Sequence, residues 1–324
     1  MPFLPHRAQY PSLREAPQDP RFLELQAPAA DADALLCGIP YDGAVIGRKG
    51  CAGGPTAIRE AFRFLATHDP DMGVDLGLLR WHDLGDVALP DPAHPDVLSI
   101  HDAVRGTLAP ALSARAGEDA PPPAIVLGGD NSLSFPTFQA LHEAYGGKWG
   151  VLVLDAHYDV RTYSGQPTSG TPYGRILQEL EGRPVMARNM VHIGIRPFAN
   201  STQLAQRAAD LGLEPWTVGD VREHGIADVV DDALGRVGDG VDHIFLSVDL
   251  DVLDQSVAPG VSAPGIGGLL LEEVAEAVGE CAYDPRVRAM DLVECAPNLD
   301  PTGNTPRCAA YLVAEFLGGV AARS

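Results

Sequence analysis

Leu154-Asp155-Ala156-His157-Tyr158-Asp159-Val160-Arg161 decides how this chain is read. It follows an apolar run from Trp149 to Leu154 and sets two aspartates and a histidine into five positions. On a strand, side chains alternate between faces, so Asp155, His157 and Asp159 share one face. Extended at about 3.3 Å per residue, Asp155 and Asp159 would stand roughly 13 Å apart, too far to hold one ion. A shared metal site therefore requires the strand to end near Asp155 and the chain to curl Asp159 back. The rest of the chain must then supply further ligands.

Working outward, apolar runs alternate with helical patterns. The expected strands are 34–39, 124–127, 149–154, 190–195, 243–248 and 287–293, with a weaker one at 215–218. Helical patterns fall at about 56–65, 97–116, 136–145, 173–181, 202–211, 227–237, 270–281 and 307–321. Near-continuous apolar strands separated by helices argue for a parallel sheet covered on both faces. The count alone favours an open sheet over a (β/α)8 barrel without excluding the barrel. Residues 1–30, rich in proline, read as an extended arm, and residues 31–324 as one catalytic domain.

In either architecture, ligands bind at the carboxyl ends of parallel strands. Those ends carry Asp130-Asn131, Asp155-His157-Asp159, Asp249-Asp251 and Glu294. Asp249 and Asp251, two apart where an apolar strand stops, share a face. Four carboxylates in one site need compensating charge, which two divalent cations would supply. Mixed carboxylate and imidazole ligation suits manganese, iron or zinc better than calcium, and a pair of such ions can activate one water. Asp83, Asp86 and Asp254 read as structural, and His82, His192 and His243 as packed or hydrogen-bonded within the strands.

The formal net charge of −21 and a pI near 4.7 disfavour nucleic acid and anionic membranes as partners. No apolar run approaches the roughly 18 residues of a membrane span, and the amino terminus lacks a signal-peptide core, so a cytoplasmic protein is expected. Five cysteines at scattered spacing, without a C-x-x-C pair, read as buried thiols. There is no Gly-x-Ser-x-Gly elbow and no phosphate loop, which argues against a serine hydrolase or a nucleotide-binding module.

Gly-Gly-Asp at 128–130, Asp-Ala-His-Tyr-Asp at 155–159, Ser-Val-Asp-Leu-Asp at 247–251 and Ala-Pro-Gly at 258–260 together resemble the ureohydrolases, the arginase and agmatinase relatives. The resemblance implies a three-layer α/β/α arginase-like fold with a central parallel sheet of about eight strands. It also implies a two-manganese centre held by Asp155, His157, Asp159, Asp249, Asp251 and Asn131, and a homotrimer or homohexamer. The reaction implied is hydrolysis of a C–N bond at a guanidine or amidine carbon. Asp159 and Glu294 match the family's catalytic carboxylates.

Within that group, Ser169-Gly170-Thr171-Pro172 and Gly194-Ile195-Arg196-Pro197-Phe198 are most similar to formimidoylglutamases, which act in histidine degradation. That implies hydrolysis of N-formimidoyl-L-glutamate to L-glutamate and formamide. Arg161, Ser169 and Arg196 are the candidate contacts for a carboxylate-bearing substrate, because arginine grips carboxylates bidentately. The alternatives are an agmatinase or other guanidino-acid hydrolase releasing urea, and a catalytically weak metal-binding homologue. The second arises because Asn131 stands where the family usually has a histidine ligand, which predicts a weakly held metal beside it.

Overall fold

The computed structural model describes residues 3–4, 21–90, 96–118 and 121–323. Its strands are β1 (Phe3–Leu4), β2 (Ala34–Gly38), β3 (His68–Asp69), β4 (Val74–Asp75), β5 (Trp81–Val87), β6 (Ala124–Leu127), β7 (Trp149–Leu154), β8 (Val185–Ile195), β9 (Trp216–Thr217), β10 (His243–Asp249) and β11 (Val287–Val293). Nine of them form one sheet in the order β1-β5-β2-β6-β11-β10-β7-β8-β9, while β3 and β4 make a small separate hairpin. All neighbours in the sheet pair in parallel except the two-residue β1, which runs antiparallel along β5.

The helices are α1 (Gly54–Ala61), α2 (Val97–Ser113), α3 (Ser134–Tyr145), α4 (Pro172–Gln178), α5 (Thr202–Asp210), α6 (Val218–His224), α7 (Ile226–Val237), α8 (Leu271–Tyr283) and α9 (Asn304–Ala321). Period-two alternation divides the strand side chains between two cores. Leu152 and Leu154 of β7 join Leu246, Val248 and Leu292 in one, beneath α1, α7, α8 and α9. Val151 and Val153 join Val126, Phe245 and Ala289 in the other, under α2 and α3. Helices on both faces make a three-layer α/β/α fold, and the sheet is open at both edges, so the barrel alternative is excluded.

Two local differences from the sequence reading have physical causes. β5 was not expected because Trp-His-Asp-Leu-Gly-Asp-Val breaks the apolar pattern. Its Asp83 and Asp86 instead clamp Arg59, which reaches across from α1 with contacts of 2.8 and 2.6 Å. β9 is only two residues long because Thr217 and Asp220 form a capping box that starts α6 at once. Finally, most of the arm expected over residues 1–30 lies outside the described residues. Its last third forms short 3-10 turns in which Phe22, fully buried, stacks on Trp81 with ring centroids 5.4 Å apart.

The topology places the two last strands in the middle. β10 and β11 insert between β6 and β7, so four adjacent strands, β6-β11-β10-β7, end side by side. Each delivers one acidic group to the same edge: Asp130-Asn131, Glu294, Asp249-Asp251 and Asp155-His157-Asp159.

Candidate metal centre and pocket

β7 ends at Leu154, and the chain curls as the ligand arithmetic required. Asp155 accepts from the His157 main-chain N–H at 2.6 Å, closing a tight turn. Asp159 sits in the left-handed backbone region at φ 45, a conformation uncommon outside glycine but tolerated by aspartate. The turn is held from outside by Tyr173 N–H donating to the Asp159 carbonyl and Arg161 N–H to the Gly170 carbonyl. On the next strand, Asp249 accepts from the Asp251 N–H at 2.9 Å.

These turns gather two ligand groups. Donor atoms of Asp155, His157 and Asp251 lie within 4.8 Å of one another, and so do those of Asp155, Asp159 and Asp249. Asp155 belongs to both. His157 Nδ1 is 3.0 Å from Asp251 and 3.5 Å from Asp155. Asp155 is fully buried and Asp249 and Asp251 nearly so, a costly arrangement for like charges. Burial and then the Asp159 charge push Asp155 well above the usual carboxylate range, and burial and then Asp251 do the same to Asp249. Burial pushes Asp159 up to about 7. His157 is raised too, chiefly by the Asp251 charge and against its own burial, to about 12. Protons thus supply the positive charge that this cage of oxygen and nitrogen donors demands. The donor set fits divalent cations.

Asn131, the sixth candidate ligand, turns its amide NH2 toward the carboxylates, donating to Asp159 at 2.8 Å and to Asp155 at 3.3 Å. Its carbonyl oxygen points inward and accepts from Ser134 Oγ at 2.8 Å. The close approach that seats Asn131 depends on Gly129, where an added Cβ would lie 1.7 Å from the Tyr41 carbonyl oxygen. Glu294, also left-handed at φ 67, accepts from the Asn131 main-chain N–H at 2.7 Å and from Cys51 Sγ at 3.2 Å. Burial, reinforced by Asp130, raises its carboxyl to about 8. Cys51 is the buried thiol its sequence suggests, and it also reaches Glu294. Nothing in its spacing reveals that the Gly-rich loop from Gly47 to Gly54 folds back onto the end of β11.

The carboxylates floor a pocket of about 170 Å³ walled by Ile46, Arg161, Ser169, Gly170, Ala199 and Ser262. Arg161 is exposed, and among the described residues its guanidinium makes no ion pair. Ser169 Oγ accepts from Ile46 N–H at 3.1 Å. Arg196 is not brought into this wall. It is buried behind it, donating to the Asp251 carbonyl at 2.9 Å and packing where a Cβ on Gly265 would sit. The residues read as structural also fall into place. Asp254 accepts from Ser256, Gly267 and Gly268, His82 bonds the Ala27 carbonyl, and the His243 ring lies 4.9 Å from Trp149. His192 is fully enclosed against the Tyr173 ring.

Residues 32–318 match the model of the arginase family. The chain belongs to the arginase family. Among family members, a formimidoylglutamase of Halobacterium salinarum is 42% identical over 295 residues, covering 90% of this chain and 89% of that one. The solved formimidoylglutamase of Bacillus subtilis superposes with a TM-score of 0.86 at 32% identity, covering 95% of this chain and 94% of that one. A formiminoglutamase of Trypanosoma cruzi, solved with Mn2+, gives a TM-score of 0.84 at 29% identity over 95% of this chain and all of the other. The family match spans β2 to β11 and so includes the strand ends that carry the acidic cluster. Among the described residues, no helix is long and apolar enough to cross a membrane.

Proposed function

We propose that this chain hydrolyses N-formimidoyl-L-glutamate to L-glutamate and formamide, with two manganese ions in the cluster. The observation that carries the reading is an acidic floor facing an arginine that makes no ion pair among the described residues, at the wall of one pocket. An amidinium needs the first and a carboxylate needs the second. The substrate carries both. Formimidoylglutamase relatives at this level of identity support the same choice.

Asp155 and Asp249 with Asp159 would hold one ion, and Asp155 and Asp251 with His157 the other. Manganese bound there would lower the pKa of a water and draw charge from the reacting carbon. Asp159 would accept a hydrogen bond from the attacking water, orient it and take up its proton. Water oxygen bonds to the formimidoyl carbon, the bond from that carbon to the glutamate nitrogen breaks, and the proton passes to the departing amine. Glu294 faces the amidinium from the neighbouring strand end. Arg161 grips a substrate carboxylate through paired N–H bonds, and the Ser169 hydroxyl is the second contact on that wall. Arg196 contributes by bracing the Asp251 turn.

Incubating the Mn2+-loaded protein with N-formimidoyl-L-glutamate, agmatine and 4-guanidinobutyrate, and measuring formamide and urea separately, tests this directly. Formamide from the first substrate alone is the expected result. Urea from either guanidine at a comparable rate, or no product from any of the three, would sink the proposal.

A further inference from the structure

Asp291 takes no part in the chemistry above, yet it is a carboxylate in the middle of β11, 1% exposed. Its Oδ1 accepts from Ser247 Oγ at 2.7 Å, and among the described residues its Oδ2 has no hydrogen-bond partner. The Ser134 hydroxyl and the Val248 main-chain N–H offset its burial only in part, and a buried carboxylate with one oxygen unmatched calls for an explanation beyond packing. Ser247 Oγ lies 3.0 Å from the Tyr173 hydroxyl, and that hydroxyl lies 3.4 Å from Asn131 Oδ1. An unbroken chain therefore runs from Asp291 through Ser247 and Tyr173 to Asn131, whose amide NH2 meets Asp159 and Asp155.

We propose that Asp291 is a positioning residue for the metal pocket, fixing the direction of the hydroxyl protons beneath Asn131 and so how firmly that amide is held. This rests on the metal reading above. Ser247 and Tyr173 have one hydroxyl proton each. As a carboxylate, Asp291 only accepts, so it draws the Ser247 proton inward. Ser247 then offers lone pairs to Tyr173, whose proton takes that shorter contact rather than the longer one to Asn131. Ser134 is left as the side-chain donor to Asn131 Oδ1. Without Asp291 the chain reverses: Ser247 donates to Tyr173, and Tyr173 donates to Asn131. Two donors then lock the amide oxygen inward and the NH2 against Asp155 and Asp159, in the way of an incoming cation.

The test is a double-mutant cycle on Mn2+ affinity, measured by calorimetry at pH 8, above the value of about 7 to which burial pushes the Asp291 carboxyl. Asp291→Leu is expected to weaken Mn2+ binding about tenfold, the scale of groups that orient a ligand. In a Tyr173→Phe background, where the second donor is gone, the same substitution is expected to have almost no effect. Equal weakening in both backgrounds would overturn the inference, because a general loss of packing does not depend on the tyrosine hydroxyl. Should Asp291→Leu not fold, Ser247→Ala cuts the chain one link along and must show the same dependence on Tyr173. Wild-type protein that binds no Mn2+ would overturn the metal reading and this inference with it. Additive effects in a protein that does bind Mn2+ would overturn this inference alone.

Discussion

Loading the cluster with manganese should expel protons, and the number is open to measurement. In the metal-free chain Asp251 holds His157 charged up to about 12, and burial keeps Asp155 and Asp249 protonated far beyond the usual range. A metal needs neutral imidazole and ionised carboxylates. Binding must therefore release the His157 proton and at least one carboxyl proton, two as a minimum. The sign follows from the direction of the shifts. The metal-free folded chain carries more protons than the loaded one, so affinity rises with pH. Two protons correspond to about a hundredfold in affinity per pH unit, or about 2.7 kcal/mol. Titration calorimetry at pH 6.5 and 7.5, in buffers of different ionisation enthalpy, reads both the affinity and the proton count. An affinity unchanged across that window, with heats indifferent to the buffer, would refute the reasoning.

Other perturbations separate the parts of the pocket. Arg161→Gln should raise KM for the amidine substrate about 10- to 100-fold, the scale of a lost charged hydrogen-bond pair, with a smaller change in kcat. A fall confined to kcat would contradict its placement on the carboxylate. Asn131→His should tighten one Mn2+ by adding an imidazole beside Asp155 and Asp159, and unchanged affinity and stoichiometry would count against that position. Arg59→Met removes a buried guanidinium from Asp83 and Asp86, so urea denaturation should show a loss of about 3–5 kcal/mol. The same variant should retain its turnover per folded molecule, since Arg59 lies away from the pocket wall.

The central strands and the acidic cluster were legible because the same physics writes both. A buried parallel strand must be apolar until it ends, and any charge at its end is then conspicuous, as at Leu154-Asp155 and Val248-Asp249. β5 was obscured because its acids are satisfied by Arg59, a partner more than twenty residues away that no local pattern reveals. The capping box of Thr217 and Asp220 is legible as Thr-x-x-Asp, the signature that starts α6. Contacts that depend on loops returning across the sheet left no trace in spacing: Cys51 on Glu294, Tyr173 on Ser247, and Arg196 on the Asp251 carbonyl. Arg196 shows the limit well. A strand-end arginine suggests substrate, but only the fold tells whether its donors already have main-chain acceptors.

Asp159 and Glu294 both stand at positive φ, and each holds its backbone against a steric cost of about 1–2 kcal/mol that glycine would not incur. Glu294→Gly would relax the backbone yet strand the buried Asn131 N–H that the carboxylate now accepts from, a loss of similar size. The strain at the pocket is thus held in place by the same side chain that serves it, and durability and chemistry are tied at this residue.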